Sequence, residues 1–222
     1  MRIRESGVRG LWQVIFLLDV CFSGLPVHGI QPNDFGIKVG VSVSNQSYQY
    51  KTMKMDRHFK NYTGLSIDLF GNTLQSDHLA LAGQLSYAQK GCTEEVFSAY
   101  VDPNSPEGYA NGGKIKLINR VDYVSASVLG RMRLDLNVLK PYVFFGPRWD
   151  FPIRTKSISS SIYDHLKNNW GLSAGIGAEF GFFRPERMLV EFQYSPDLGG
   201  IFESDALTVR KTSYEVKLGF VF

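Results

Sequence analysis

The sequence predicts an all-β fold: an eight-stranded antiparallel up-and-down transmembrane β-barrel. Three observations carry that expectation. Downstream of residue 33, apolar residues recur at every second position in segment after segment, the period of strands whose two faces meet different surroundings. The connections between these segments alternate long and short. The polar face of the alternation is rich in Gly, Ser and charge, whereas the apolar face carries aromatic residues at its ends.

Composition fits one domain. The chain has 222 residues, 44% hydrophobic and 20% charged, with 16 Phe, 11 Tyr and 3 Trp, which excludes a disordered tail and a disulfide-stapled miniprotein. A mean hydropathy of −0.12, with no apolar run of about 18 residues, excludes a helical membrane protein. The formal charge of +3 does not by itself indicate a nucleic-acid binder.

Residues 1–29 read as a cleavable signal peptide, and residues 30–222 as the barrel domain. Arg2, Arg4 and Arg9 form a basic start, LWQVIFLLDVCF is the hydrophobic stretch, and Val27 and Gly29 stand at minus three and minus one of a cut before Ile30. Lipidation at Cys21 is the alternative, but Leu18, Asp19 and Val20 fit it poorly. Cleavage removes three Arg, one Glu and one Asp, taking the charge from +3 to +2. It leaves Cys92 with no intramolecular disulfide partner.

The first strand, FGIKVGVSVS, sets Phe35, Ile37, Val39, Val41 and Val43 against Gly36, Lys38, Gly40, Ser42 and Ser44. The second opposes Leu65, Ile67 and Leu69 to Gly64, Ser66 and Asp68. The third opposes Leu79, Leu81, Leu85 and Tyr87 to Ala82, Gln84, Ser86, Ala88 and Lys90. The fourth, VDYVSASVLGRM, is less regular, with Val124, Ala126 and Val128 on its apolar face. In the fifth, Val143, Phe145, Pro147, Trp149 and Phe151 face away from Gly146, Arg148 and Asp150. The sixth alternates Trp170, Leu172, Ala174, Ile176, Ala178, Phe180 and Phe182 with Gly171, Ser173, Gly175, Gly177, Glu179 and Gly181. The seventh sets Val190, Phe192 and Tyr194 against Glu191, Gln193 and Ser195. The last opposes Tyr214, Val216, Leu218, Phe220 and Phe222 to Glu215, Lys217 and Gly219.

The links run about 18, 6, 28, 7, 15, 4 and 12 residues, so every odd link is long. Short turns at one rim and long loops at the other mark an outer-membrane barrel, with tight turns and both termini on the periplasmic side. Lipid rather than a soluble cavity is assigned to the apolar face on three grounds. Glycines on the polar face suit a small lumen and would weaken a solvent-exposed strand. Trp149, Phe151 and Trp170 gather near one rim, and Phe35, Phe180, Phe182, Phe220 and Phe222 near the other, as two interfacial girdles. No charge interrupts the apolar face, where one Lys or Arg at mid-depth costs roughly 2–4 kcal/mol.

The order QLSYAQKG, KPYVFFGP, NWGLSAGIGAEF, LVEFQYS and a final strand ending in Phe resembles the outer-membrane β-barrel domain family of Bacteroidetes, the porin-family or PorT-like proteins. KPYVFFGP and YAQKG are the most specific pieces, while VDYVSAS lacks a proline usual in that family. The resemblance spans about residues 33–222. It implies location in the outer membrane of a Gram-negative bacterium. It also implies that Tyr214, Leu218, Phe220 and Phe222 act as the signal read by the barrel-assembly machinery. The PorT-like name comes from a secretion-system component, so a secretion accessory role is one of the implied functions.

Eight strands leave an interior that side chains fill. Lys38, Asp68, Lys90, Arg148, Asp150, Glu179, Glu191, Glu215 and Lys217 are the expected lumen charges, five acids and four bases, and a salt-bridged plug is the expectation ahead of a narrow conduit for ions or small solutes. Glu179 and Glu191, on adjacent strands, resemble paired acid/base carboxylates, but membership of the lumen's electrostatic network is the stronger expectation for both. Ser159, Asp164 and His165 could be drawn as a triad, but adjacency along a loop does not supply triad geometry. His28, His58, His78 and Cys92 lack metal-ligand spacing; no cofactor and no catalysis are expected. Cys92 is expected just past the third strand, near the outer rim.

The long loops are the expected place for partners. YQYKTMKMDRHFKNY mixes Lys51, Lys54, Arg57 and Lys60 with Tyr48, Tyr50, Phe59 and Tyr62, suited to outer-membrane lipid and lipopolysaccharide headgroups or to another envelope or secretion protein, the alternative being a solvated loop whose bases snorkel above the aromatic girdle. Nucleic acid is excluded by compartment. DPNSPEGYANGG is rich in breakers and is expected to be an irregular excursion.

Overall fold

A computed structural model describes residues 34–50, 59–73, 76, 78–101, 109–136, 138–156, 166–181, 187–203 and 207–222. Alternating apolar and polar residues produce long strands in chain order: β1 (Asp34–Tyr50), β2 (Lys60–Thr73), β3 (Leu79–Val101), β4 (Tyr109–Arg133), β5 (Leu139–Lys156), β6 (Asn169–Phe180) and β7 (Arg187–Pro196). The two-residue β8 (Phe202–Glu203) and the long β9 (Leu207–Val221) follow. Each long strand pairs antiparallel with the next, and β1 pairs with β9, so eight strands close into a ring with β8 folded against β9. Closure removes the free sheet edge that a membrane interior does not tolerate.

The two faces have opposite chemistry. Phe35, Val39, Leu69, Val143, Phe145, Ile176, Val216 and Leu218 are exposed on the outside, while Lys38, Asp68, Glu191 and Lys217 on the inside are fully buried. The hydrocarbon side chains therefore radiate outward, and the barrel interior is its polar core. Trp149 and Trp170 face each other across β5 and β6 on the outer surface. At the opposite rim Phe35 and Phe222 pack with ring centroids 5.5 Å apart, and the two residues exchange backbone hydrogen bonds.

Strand ends differ from the sequence expectation. The expected 28-residue excursion between the third and fourth strands is largely an antiparallel ribbon in which Lys90 pairs with Val121 and Val101 with Tyr109. The backbone of DPNSPEGYANGG is thus in β4 from Tyr109 onward, because pairing across the ribbon satisfies peptide groups that an irregular loop would leave to water. A register shift between Phe97 and Ala99 is absorbed near Gly113, whose φ of 87° is the left-handed conformation that glycine adopts without strain. The ribbon also encloses Cys92. It lies within β3, fully buried, with its Sγ 3.4 Å from Gln46 Oε1, rather than beyond the strand.

The interior also holds larger groups than the Gly and Ser alternation suggests. Phe70, Tyr142, Phe144, Leu189 and Val221 point inward and are buried. The inward glycines make room for the rings: a Cβ on Gly177 would lie 2.4 Å from Tyr142 Cζ, and one on Gly175 would lie 2.4 Å from Phe144 Cζ.

Candidate functional site: the ionic lumen and its two lids

All nine residues expected in the lumen lie inside the barrel, each buried. Arg131 on β4, Lys211 on β9 and Asp197 just after β7 join them, raising the set to six acids and six bases. Neutrality matters because each ion removed from water costs several kcal/mol unless opposite charge and hydrogen bonds replace the lost hydration.

The charges divide into two groups. Nearer the periplasmic end, Lys38 Nζ donates to Glu191 Oε1 at 2.8 Å and to Gln84 Oε1 at 2.8 Å, with Asp68 3.5 Å away. Lys217 Nζ donates to Asp68 at 2.6 Å and to Gln193 at 2.9 Å, and lies 2.7 Å from Glu215. Glu215 also pairs with Lys90 at 3.1 Å and accepts from Ser66. Tyr142 donates to Glu191 at 2.9 Å, and the Arg131 guanidinium lies between the Phe70 and Tyr142 rings, 4.8 and 5.0 Å from their centroids.

Toward the extracellular end, Arg148 bridges Asp150 and Asp197, each at 2.8 Å, while Lys211 donates to Asp150 at 2.8 Å. Lys211 Nζ stands 3.6 Å from the Tyr123 ring centroid. Buried serines line the wall around and between these groups; Ser44, Ser195 and Ser213 lie side by side on β1, β7 and β9.

Glu179 and Glu191 do not form an acid/base pair. Glu179 accepts from Arg187, which also pairs with Asp34 at the periplasmic rim, whereas Glu191 is committed to Lys38 and Tyr142. Each has its own cation, so no proton-sharing dyad is assembled.

Apolar side chains close both ends. Phe70 packs with Leu189 and Val221, and Tyr142 and Phe144 pack with Ala82 and Leu129, on the periplasmic side. On the extracellular side Tyr48, Ile201 and Val209 form a second lid with Phe59 and Phe202, and Leu166 reaches both this lid and the Val121–Tyr123 pair. The segment that carries Ile201 and Asp197 is held by backbone bonds from Lys167 N to Ile201 O and from Asp197 N to Lys211 O.

Of the other sequence candidates, His78 is exposed beside the turn before β3. Gly29 and Ile30 with the whole signal segment, His28, Lys51, Lys54, Arg57, His58, Ser159, Asp164, His165 and Phe182 lie outside the described residues. Tyr214, Leu218, Phe220 and Phe222 are exposed on the outer wall at β9 and its end. Among the described residues no three His, Cys, Asp or Glu side chains converge as a metal site. Lys211 escaped sequence reading because the last strand begins five residues earlier than the alternation starting at Thr212 indicates; Asp197 lies beyond the seventh strand's pattern.

The family model described as outer membrane protein beta-barrel domain matches residues 19–222. Among solved structures, the outer membrane protein AlkL in DMPC bilayers is 17% identical, with a TM-score of 0.50, covering 89% of this chain and 94% of its own. The outer membrane protease OmpT from Escherichia coli is 7% identical, with a TM-score of 0.50, covering 89% of this chain and 99% of its own. At these identities the likeness is one of fold. No curated protein matches the sequence.

Proposed function

Because the chain belongs to the family of outer membrane protein β-barrel domains, and so resides in the outer membrane of a Gram-negative bacterium, we propose that it is a non-enzymatic envelope scaffold. Its lumen is plugged, and its work is done at its rims and outer wall. One observation carries this reading: a neutral, ion-paired lumen is capped at both ends by apolar side chains. An ion entering such a lumen would break pairs such as Lys217 with Asp68 and Arg148 with Asp197, and would cross two apolar lids.

The non-catalytic reading rests on the same chemistry. Asp68, Asp150, Glu179, Glu191, Asp197 and Glu215 each have a cationic partner, and a carboxylate so held is a poor general base. The finer placement among PorT-like barrels of Bacteroidetes rests on KPYVFFGP and YAQKG, and a secretion accessory role follows from that placement alone. The proposed partners are outer-membrane lipid and lipopolysaccharide, the barrel-assembly machinery acting on the final strand, and envelope or secretion proteins at the loops. A removable leader ending at Gly29 would deliver the chain to the periplasm.

Planar-bilayer recording tests the plug. The refolded protein should give no discrete conductance. Steps that change size on Arg148→Ala or Glu179→Ala would replace the scaffold with a narrow channel.

A further inference from the structure

Above the apolar band, two irregularities in the ladder turn cations from the lumen to the outer wall. In β2 the register against β3 shifts between Asn61 and Ser66. Ser66 and Asp68 point inward, and Lys60 would share their side in an unbroken strand; instead it stands opposite Thr93, its side chain 66% exposed and 2.5 Å from Glu95. In β5 two residues are spent against one of β4: Tyr123 pairs with Pro152 and Asp122 with Arg154. That bulge takes Arg154 and Lys156 off the inward row of Arg148 and Asp150 and places them beside Asp122 and Arg120.

The ribbon extends the same face, since Lys116 pairs with Glu95 and Lys114 with Phe97. Six cations thus share one wall: Lys60, Lys114, Lys116, Arg120, Arg154 and Lys156. Lys60 is bound to Glu95, and its hydrogen bond holds that carboxyl below the usual range. Arg120 grips Asp122 through two hydrogen bonds of 2.7 and 2.9 Å. Among the described residues Lys114, Lys116, Arg154 and Lys156 form no ion pair, and all four are exposed.

This wall is one-sided. Outside β2–β5, the outer face of β1 and β9 at the extracellular end carries, among the described residues, Ser47, Gln49, Thr212 and a single cation, Arg210. Snorkelling bases above an aromatic girdle would be spread around the rim. The cations also begin where the apolar band stops: Arg120 is four residues beyond Val124, about 10 Å along the membrane normal for a tilted strand, and Val124 adjoins Tyr87 and Phe151.

We propose that the outer wall of β2–β5 binds the phosphorylated headgroup of an outer-leaflet glycolipid of the lipid A type. Its phosphates meet Lys114, Lys116, Arg154 and Lys156, and its acyl chains lie along the surface of Tyr87, Val124, Phe151 and Trp149. A lipid fits better than a soluble acid because the cations face away from the lumen and are continuous with the surface that meets hydrocarbon. The proposal names a site for the lipid partner. It rests on the membrane location and is independent of the plugged lumen.

The test uses the folded full chain in zwitterionic micelles, titrated with diphosphoryl lipid A and followed by native mass spectrometry. The double variant Arg154→Gln/Lys156→Gln should weaken binding by roughly tenfold or more, since each surface cation near an anionic lipid is worth about fivefold, or about 1 kcal/mol. Lys114→Gln/Lys116→Gln should act in the same direction, while Arg210→Gln on β9, outside the β2–β5 wall, leaves binding unchanged. Heat-modifiable migration checks that every variant is folded. Equal loss from Arg210→Gln, no loss from either double variant, or equal binding of the dephosphorylated glycolipid would overturn the site. Full displacement by soluble polyphosphate at matched phosphate concentration would overturn the choice of a lipid ligand. Conductance of the same preparation tests the plug separately.

Discussion

Glu191 is the residue whose loss should expose how the lumen is balanced. Its carboxylate accepts from Lys38 at 2.8 Å and Tyr142 at 2.9 Å, with Arg131 3.5 Å away, and its surroundings are almost fully buried. Glu191→Ala leaves one cation in excess among the six acids and six bases, and strips Tyr142 of its acceptor. Breaking a buried pair from one side costs about 3–5 kcal/mol. With a urea slope of about 2 kcal/mol/M, a loss of 4 kcal/mol moves the unfolding midpoint down by about 2 M. The assay is reversible urea unfolding in phospholipid vesicles, followed by tryptophan fluorescence. Lys38→Met should also destabilise. The double variant Glu191→Ala/Lys38→Met restores neutrality, so its loss should fall short of the two single losses added together by about 1–3 kcal/mol. A midpoint for Glu191→Ala within experimental error of the parent, or strict additivity in the double variant, would refute the claim that these charges hold one another.

Two further outcomes follow from other parts of the barrel. Gly177→Ala should cost about 1–3 kcal/mol through overpacking, because the added Cβ meets the Tyr142 ring; combined with Tyr142→Ala the glycine penalty should largely vanish in the same unfolding assay. Deleting Phe222, or replacing it with Asp, should lower the yield of heat-modifiable outer-membrane protein, since Phe222 packs on Phe35 where the barrel closes; unchanged yield would remove the proposed role of the final strand in assembly.

Much of the membrane-spanning portion is legible from period alone. Along β1, β7 and β9 each step of one residue switches a side chain between lipid and lumen, so Lys38, Glu191, Glu215 and Lys217 can be placed by counting. Strand length is less legible. Beyond the hydrocarbon there is no lipid to demand apolar side chains, so β3 and β4 continue as a ribbon whose sequence, with Glu94, Glu95, Lys114 and Lys116, no longer alternates cleanly. Apolar content is equally hidden on the lumen face: Tyr142 and Phe144 sit between outward residues in KPYVFFGP, and only the structure shows them packed over Gly177 and Gly175.

The outer-rim site was illegible for a sharper reason. Counting by twos carries a residue's side only as far as the next bulge, and the bulges in β2 and β5 lie between the lumen charges and the rim cations. Read without them, Lys60, Arg154 and Lys156 continue the inward rows and add three positive charges to a lumen otherwise balanced at six and six. Such an excess buried in the barrel would cost several kcal/mol per ion. The bulges relieve it by turning all three outward, where water, counterions or an anionic headgroup can meet them. Neutrality inside and a cationic wall outside are therefore one consequence of where the extra residues fall. Exchanging Arg154 and Thr155 should test the link, because it moves the cation to the side of the buried Val121 without changing composition: lipid A binding should fall, and full retention would break the link.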